Sequence, residues 1–127
     1  MTTVLVVDDS PTIRAMIVEL LKSHGMKTLE AEDGAIAKQL LSDSNIVPDL
    51  VITDIVMPNM NGYEFCRWVK NNPTTTQVPV IMCTTKGEDF DKHWGKRQGS
   101  DAYITKPFEG KEMLATVSSL LKAQTAP

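Results

Sequence analysis

The chain predicts an α/β domain: a single five-stranded parallel sheet in the order 2-1-3-4-5, with helices on both faces. Two observations carry this. Short apolar runs rich in valine and isoleucine alternate with segments of helical periodicity. The runs end in charged or hydroxyl residues, as in "VLVVDDSP" at residues 4–11 and "DLVITD" at 49–54. Each βα unit needs a right-handed crossover, which leaves few topologies open.

Residues 3–8 read as a strand buried on both faces. Ser10 offers an N-cap and Pro11 suits the first helical turn. Ile13, Met16, Ile17, Leu20 and Leu21 then make one helical stripe, and Gly25 suits the C-terminal cap. "MKTLEA" is a short second strand. Residues 34–43, with Ile36, Ala37, Leu40 and Leu41, form a second helix that Pro48 is expected to break. "DLVITD" is the third strand. Asn61 caps a third helix bearing Phe65, Cys66 and Val69, with Glu64 in the reciprocal capping position. "VPVIMCTT" is the fourth strand. Residues 88–98 form a weaker helix, because Gly95 lies inside it. "DAYIT" is the fifth strand. A last helix covers about 109–122, with Met113, Leu114, Val117, Leu120 and Leu121 facing inward. Five such units in 127 residues suit a single domain of flavodoxin-like strand order, with residues 123–127 expected to fray.

Composition narrows the function. Apolar residues make up 42% and charged residues 23%, ordinary for a globular protein. The net charge of -3 and the lack of a basic run argue against nucleic-acid binding. No window approaches the ~20 apolar residues of a membrane span, and the N-terminus lacks signal-peptide character. Cys66 and Cys83 read as buried free thiols in a reducing cytoplasm. His24 and His93 read as surface residues.

Ligands of such sheets bind at the carboxyl ends of the strands, where strands 1 and 3 diverge. Asp8 and Asp9 end strand 1, Asp54 ends strand 3, Thr84 ends strand 4, and Lys106 with Pro107 follows strand 5. Converging carboxylates do not all ionise unaided. A hard divalent cation removes the conflict, and Mg²⁺ (or Mn²⁺) takes one or two carboxylates plus waters and phosphate oxygens. Asp8 and Asp9 point to different sides, so one of them can reach the cation through water. Asp54 is then a nucleophile toward phosphorus, while the cation, Lys106 and the Thr84 hydroxyl meet the charge of the transferring group. No Walker loop or glycine fingerprint offers a nucleotide pocket, so the donor is a small molecule or another protein. The loop after strand 1 also lacks the glycines and hydroxyls that a flavin phosphate needs.

The motifs "VDDS" at 7–10, "TDIVMPNMNG" at 53–62, "MCTT" at 82–85 and "YITKPF" at 103–108 resemble the receiver domains of bacterial two-component response regulators, over essentially all of residues 1–127. The resemblance implies that Asp54 is the phospho-acceptor. It also implies that Asp8, Asp9, Asp54 and the main-chain carbonyl of Val56 form the Mg²⁺ site, that Thr84 and Tyr103 are a switch pair, and that Lys106 is the site lysine. It implies a stand-alone regulator, similar to the chemotaxis regulator. Such a regulator is phosphorylated by a histidine kinase or phosphotransfer domain and acts by protein contact, as a monomer or weak dimer. The expected output face is the helix at 88–98, strand 5 and the last helix, with Phe90, Trp94 and Tyr103 upon it. Val56 and Lys86 flank the path of hydrolytic water and should tune the lifetime of the phosphoryl group. Residues 91–108 further resemble regulators of type IV pilus motility, including those of phototaxis. The competing reading is an interaction module of the same fold whose output does not depend on phosphorylation.

Overall fold

The computed structural model describes residues 2–85 and 99–125. The strands are β1 (Thr3–Val7), β2 (Lys27–Ala31), β3 (Leu50–Asp54), β4 (Val80–Thr85) and β5 (Ala102–Lys106). The described helices are α1 (Pro11–Lys22), α2 (Gly34–Ser44), α3 (Gly62–Asn71) and α4 (Gly110–Thr125). The helix expected at 88–98 lies outside the described residues. All strand pairings are parallel, and the order is β2-β1-β3-β4-β5, as the alternating pattern predicts.

Alternation along each strand builds two cores. Leu5, Val7, Val51, Val80 and Met82 face α2 and α3, meeting Ala37, Leu41, Phe65, Cys66 and Val69. Val4, Val6, Leu50, Ile52, Ile81, Cys83 and Ile104 face α1 and α4, meeting Ile17, Val18, Leu21, Met113 and Val117. The α1 stripe is narrower than its periodicity suggests. Ile17, Val18 and Leu21 are buried, whereas Met16 is 54% exposed at the border of the packed face.

Local chemistry sets the helix ends. Ser10 caps α1 by accepting from the Ile13 N–H, with Pro11 at the first position. The α1 exit turns at Gly25, whose φ of 80° is left-handed. Asn61 and Glu64 make the reciprocal capping box of α3. Pro48 is not the terminator of α2: the helix has already ended at Asn45, in the left-handed region with φ 56°. At the amino ends of the strands, Asp101 accepts from the Lys70 ammonium and from the Val80 N–H, both at 2.8 Å. This ties α3 to the entries of β4 and β5. Among the described residues, no helix is long and apolar enough to cross a membrane.

Candidate phosphoryl-transfer and cation site

The register brings the charged residues together. Val7 of β1 pairs with Thr53 of β3, so Asp8 and Asp54 follow side by side on adjacent strands. One carboxylate oxygen from each of Asp8, Asp9 and Asp54 lies within 4.8 Å of the other two. Asp8 is only 1% exposed, and a buried carboxylate requires partners. Its Oδ1 accepts from the Ser10 N–H at 2.9 Å and its Oδ2 from the Lys106 ammonium at 2.8 Å. The Asp8 carbonyl accepts from Arg14 Nη1 at 2.7 Å, and its N–H donates to the Ala31 carbonyl at 3.1 Å. Asp9, by contrast, is exposed. The two neighbours thus divide as strand geometry requires, one inward and one toward solvent.

Lys106 comes from β5, two strand spacings or roughly 10 Å from β3. A lysine stem is long enough to bridge much of that span. Its ammonium lies 3.5 Å from Asp54 Oδ1 as well as on Asp8. Burial draws the Lys106 pKa down, but the Asp8 hydrogen bond and the two carboxylate charges outweigh it and leave it above the ordinary lysine value. The peptide bond from Lys106 to Pro107 is cis. Asp54 Oδ1 also accepts from the Ile55 N–H at 2.8 Å. Burial pushes the Asp54 carboxyl up to about 6; Lys106 opposes the rise, and the charges of Asp8 and Asp9 add to it.

This donor set fits a hard divalent cation. Among the described residues, every candidate ligand in the cluster is oxygen, and its three acidic groups are met by the Lys106 ammonium. Burial chiefly, and the charges of Asp8 and Asp9 in addition, raise the Asp54 pKa, and a cation would offset both by favouring the ionised carboxylate.

The loop after Asp54 is closed by Gly62 N–H donating to the Ile55 carbonyl at 2.8 Å. Within it, the Val56 side chain is 77% exposed. Thr84 lies in β4 paired with Thr105, one position before the Thr85–Lys106 pair. Tyr103 pairs with Met82 and is partly buried against the α2–α3 core. Lys86, Phe90, Trp94 and His93 lie outside the described residues. His24 is exposed. Cys66 and Cys83 are buried and form no disulfide, and burial pushes both thiols up to about 12, so they serve as apolar packing.

Sequence reading did not single out Asp33, Asn59 or Arg14. Asp33 caps α2 through the Ile36 N–H at 2.9 Å, and its other oxygen accepts from Asn59 at 2.9 Å. Arg14 binds the Asp8 carbonyl and Glu30. An Asp-Gly pair before an apolar helix was a visible capping signal for Asp33; the Arg14–Glu30 and Asp33–Asn59 contacts join residues 16 and 26 positions apart.

A parallel sheet with three carboxylates and a lysine at its carboxyl edge defines a receiver-type fold with an acidic site. The sequence model of the response regulator receiver domain family matches residues 4–118, and the chain belongs to that family. It is 40% identical to Protein PilH of Pseudomonas aeruginosa over 121 residues, covering 95% of this chain and 98% of PilH. It is also 40% identical to Protein PilG of the same organism, covering 91% of this chain and 84% of PilG. Among solved structures it is similar to the chemotaxis response regulator CheY4 of Vibrio cholerae. The TM-score there is 0.87 at 32% identity, with 94% of this chain and 98% of that one covered.

Proposed function

We propose that the chain is a phosphorylation-driven response regulator of the cytoplasm. Asp54 accepts a phosphoryl group from a histidine kinase or phosphotransfer domain, and the modified protein signals by binding a downstream protein. The observation that carries this reading is the placement of Asp54. It stands beside a lysine ammonium at 3.5 Å and within a triad of carboxylates that bring one oxygen each inside 4.8 Å.

Among the described residues, Asp54 Oδ1 is held by the Ile55 N–H and faces Lys106, which leaves Oδ2 to attack. An Oδ2 lone pair forms the bond to phosphorus as the bond to the donor nitrogen or oxygen breaks, and the donor leaves with that electron pair. With a pKa of about 6, Asp54 is mostly ionised at neutral pH and ready to act. Lys106 is anchored on Asp8 and stabilises charge on the transferring oxygens. Asp8, Asp9, Asp54 and the Val56 carbonyl would hold Mg²⁺ or Mn²⁺, which when bound neutralises carboxylate and phosphoryl charge. Thr84 and Tyr103 are the proposed switch pair, and β5 with its neighbours the output face. The resemblance of residues 91–108 to regulators of pilus motility, together with the identity to PilH and PilG, supports pilus-based motility as the process served.

The test is intact-mass analysis after incubation with acetyl phosphate. One phosphoryl group per chain is expected in Mg²⁺ and none in EDTA, with the modification mapped to Asp54. No gain in Mg²⁺, or a gain mapped elsewhere, refutes the reading. A phosphotransfer profile against the histidine kinases of the same genome then identifies the donor.

A second expectation concerns lifetime. The exposed Val56 side chain lies two residues beyond Asp54 and offers no hydrogen bond to orient a hydrolytic water. The phosphorylated form should therefore decay slowly, and Val56→Asn should speed decay about tenfold, equivalent to ~1.4 kcal/mol of barrier. Equal decay of the two proteins in Mg²⁺ after donor removal would show that this side chain does not gate the water.

A further inference from the structure

The loop over residues 55–61 carries the Val56 carbonyl and connects Asp54 to α3. The Ile55–Gly62 hydrogen bond closes its base, but its far side rests on another loop, at the entry to α2. Asn59 Nδ2 donates to Asp33 Oδ2 at 2.9 Å, and the Gly34 N–H donates to the Met60 carbonyl at 3.1 Å. The two backbones approach so closely that a Cβ on Gly34 would stand 2.7 Å from the Met60 oxygen. Asn59 itself sits in the left-handed region with φ 66°, where asparagine and aspartate are the best tolerated residues with a side chain.

Asp33 is well prepared for this contact. It is 3% exposed, and its Oδ1 is fixed by the Ile36 N–H. Those backbone and Asn59 hydrogen bonds, the Ile36 bond first, hold its carboxyl below the usual aspartate range. The acceptor is thus held ionised, and the Ile36 bond orients it independently of Asn59. Capping α2 requires only one of its two oxygens, so the second is committed to the acceptor loop, 26 residues away in sequence.

We propose that Asp33 and Asn59 are positioning residues, forming a latch that holds the 55–61 loop in the geometry needed to bind the divalent cation. The proposal rests on the functional reading above. Unlatched, the loop must be ordered by the cation itself, so the cost appears in cation affinity. At saturating Mg²⁺ the loop is restored, and the maximal rate of phosphoryl transfer to Asp54 changes little. Partners that orient metal ligands from outside the coordination sphere typically contribute ten- to a hundredfold in affinity.

Three variants separate the latch from a general structural role. Asn59→Gly keeps the left-handed backbone and removes the amide. Asn59→Asp sets two carboxylates against each other. Asp33→Asn combined with Asn59→Asp exchanges the groups: the amide placed at 33 still caps α2 through its oxygen and donates its N–H to the carboxylate at 59. Mg²⁺ affinity is read by calorimetry and loop order by amide exchange of residues 56–60 in EDTA. Expected are about tenfold weaker Mg²⁺ binding and faster loop exchange in Asn59→Gly and in Asn59→Asp, and recovery of both in the exchanged pair. Weakening in Asn59→Asp is diagnostic, because an added negative charge would by itself favour a cation.

Unchanged affinity in Asn59→Gly and Asn59→Asp, or failure of the exchanged pair to recover, overturns the latch while leaving the functional reading intact. A wild type that binds no Mg²⁺ overturns both. Labelling rates should fall at limiting Mg²⁺ and converge at saturation; a deficit that persists at saturation also overturns the proposal.

Discussion

Asp54→Asn is expected to stabilise the cation-free protein near neutral pH while abolishing its labelling. The wild-type carboxyl is raised from 3.8 to about 6, chiefly by burial, with the charges of Asp8 and Asp9 adding to the rise. A raised carboxyl means that the folded state holds its proton more tightly than the unfolded state. Stability therefore falls as pH rises through the window from 3.8 to about 6, and the full penalty applies above it. The gap corresponds to about 3 kcal/mol. Asp54 retains 13% side-chain exposure, and solvent screening trims the penalty to on the order of 2 kcal/mol. An amide has the same shape, can still accept the Ile55 N–H, and carries no charge. Lys106 keeps its 2.8 Å bond to Asp8. Urea denaturation in EDTA should show the advantage of the amide variant as a higher midpoint near pH 7 that shrinks toward pH 4, where the wild type is protonated. Excess Mg²⁺ should narrow the gap as well, because the wild type gains binding energy in proportion to the logarithm of saturation. A variant less stable than the wild type at neutral pH would show that Asp54 is not in electrostatic conflict. A stable, unlabelled variant would also show that lost labelling is not lost folding.

The acidic site was legible because its parts obey local rules. Strand ends can be read from where apolar runs stop, and a parallel sheet brings the ends of strands 1 and 3 together whatever the details of packing. Asp8, Asp9, Asp54 and Lys106 needed nothing more. The α3 capping box was equally local, since Asn61 and Glu64 are three residues apart. Periodicity misjudged the edge of a face. Met16 belongs to the apolar stripe of α1, but Val18 takes the buried place in the core beside Ile17 and Leu21. Pro48 was a visible helix breaker that arrived too late, because Asn45 had already turned the chain. The Asp33–Asn59 and Lys70–Asp101 contacts join residues 26 and 31 positions apart. Nothing in the spacing of such residues announces these pairings, because in the sequence each partner alone is an ordinary polar residue.

Gly62→Ala is expected to damage both stability and chemistry, against what helix propensity suggests. Gly62 begins α3, where alanine should favour the helix by up to about 1 kcal/mol. A Cβ there, however, would collide with the Asp54 carbonyl oxygen and stand 2.9 Å from Ile55 Cα. Both neighbours are backbone, so no side chain can swing aside. Either α3 withdraws, straining the 2.8 Å bond from its Gly62 N–H to the Ile55 carbonyl, or the peptide after Asp54 moves. Overpacking of this kind costs about 1–3 kcal/mol or more, which outweighs the propensity gain. A displacement of Asp54 by about an ångström would slow labelling on the order of a hundredfold. Gly25→Ala is the control. Gly25 has φ 80° but nothing within 4 Å of the added Cβ, so its cost is backbone strain alone, about 1–2 kcal/mol. It lies at the far end of α1, at the entry to β2. Both variants should lower the urea midpoint, but only Gly62→Ala should slow labelling at saturating Mg²⁺. Wild-type labelling in a folded Gly62→Ala protein would mean that the acceptor peptide and the start of α3 are not rigidly coupled, and that the glycine serves the backbone of the helix alone.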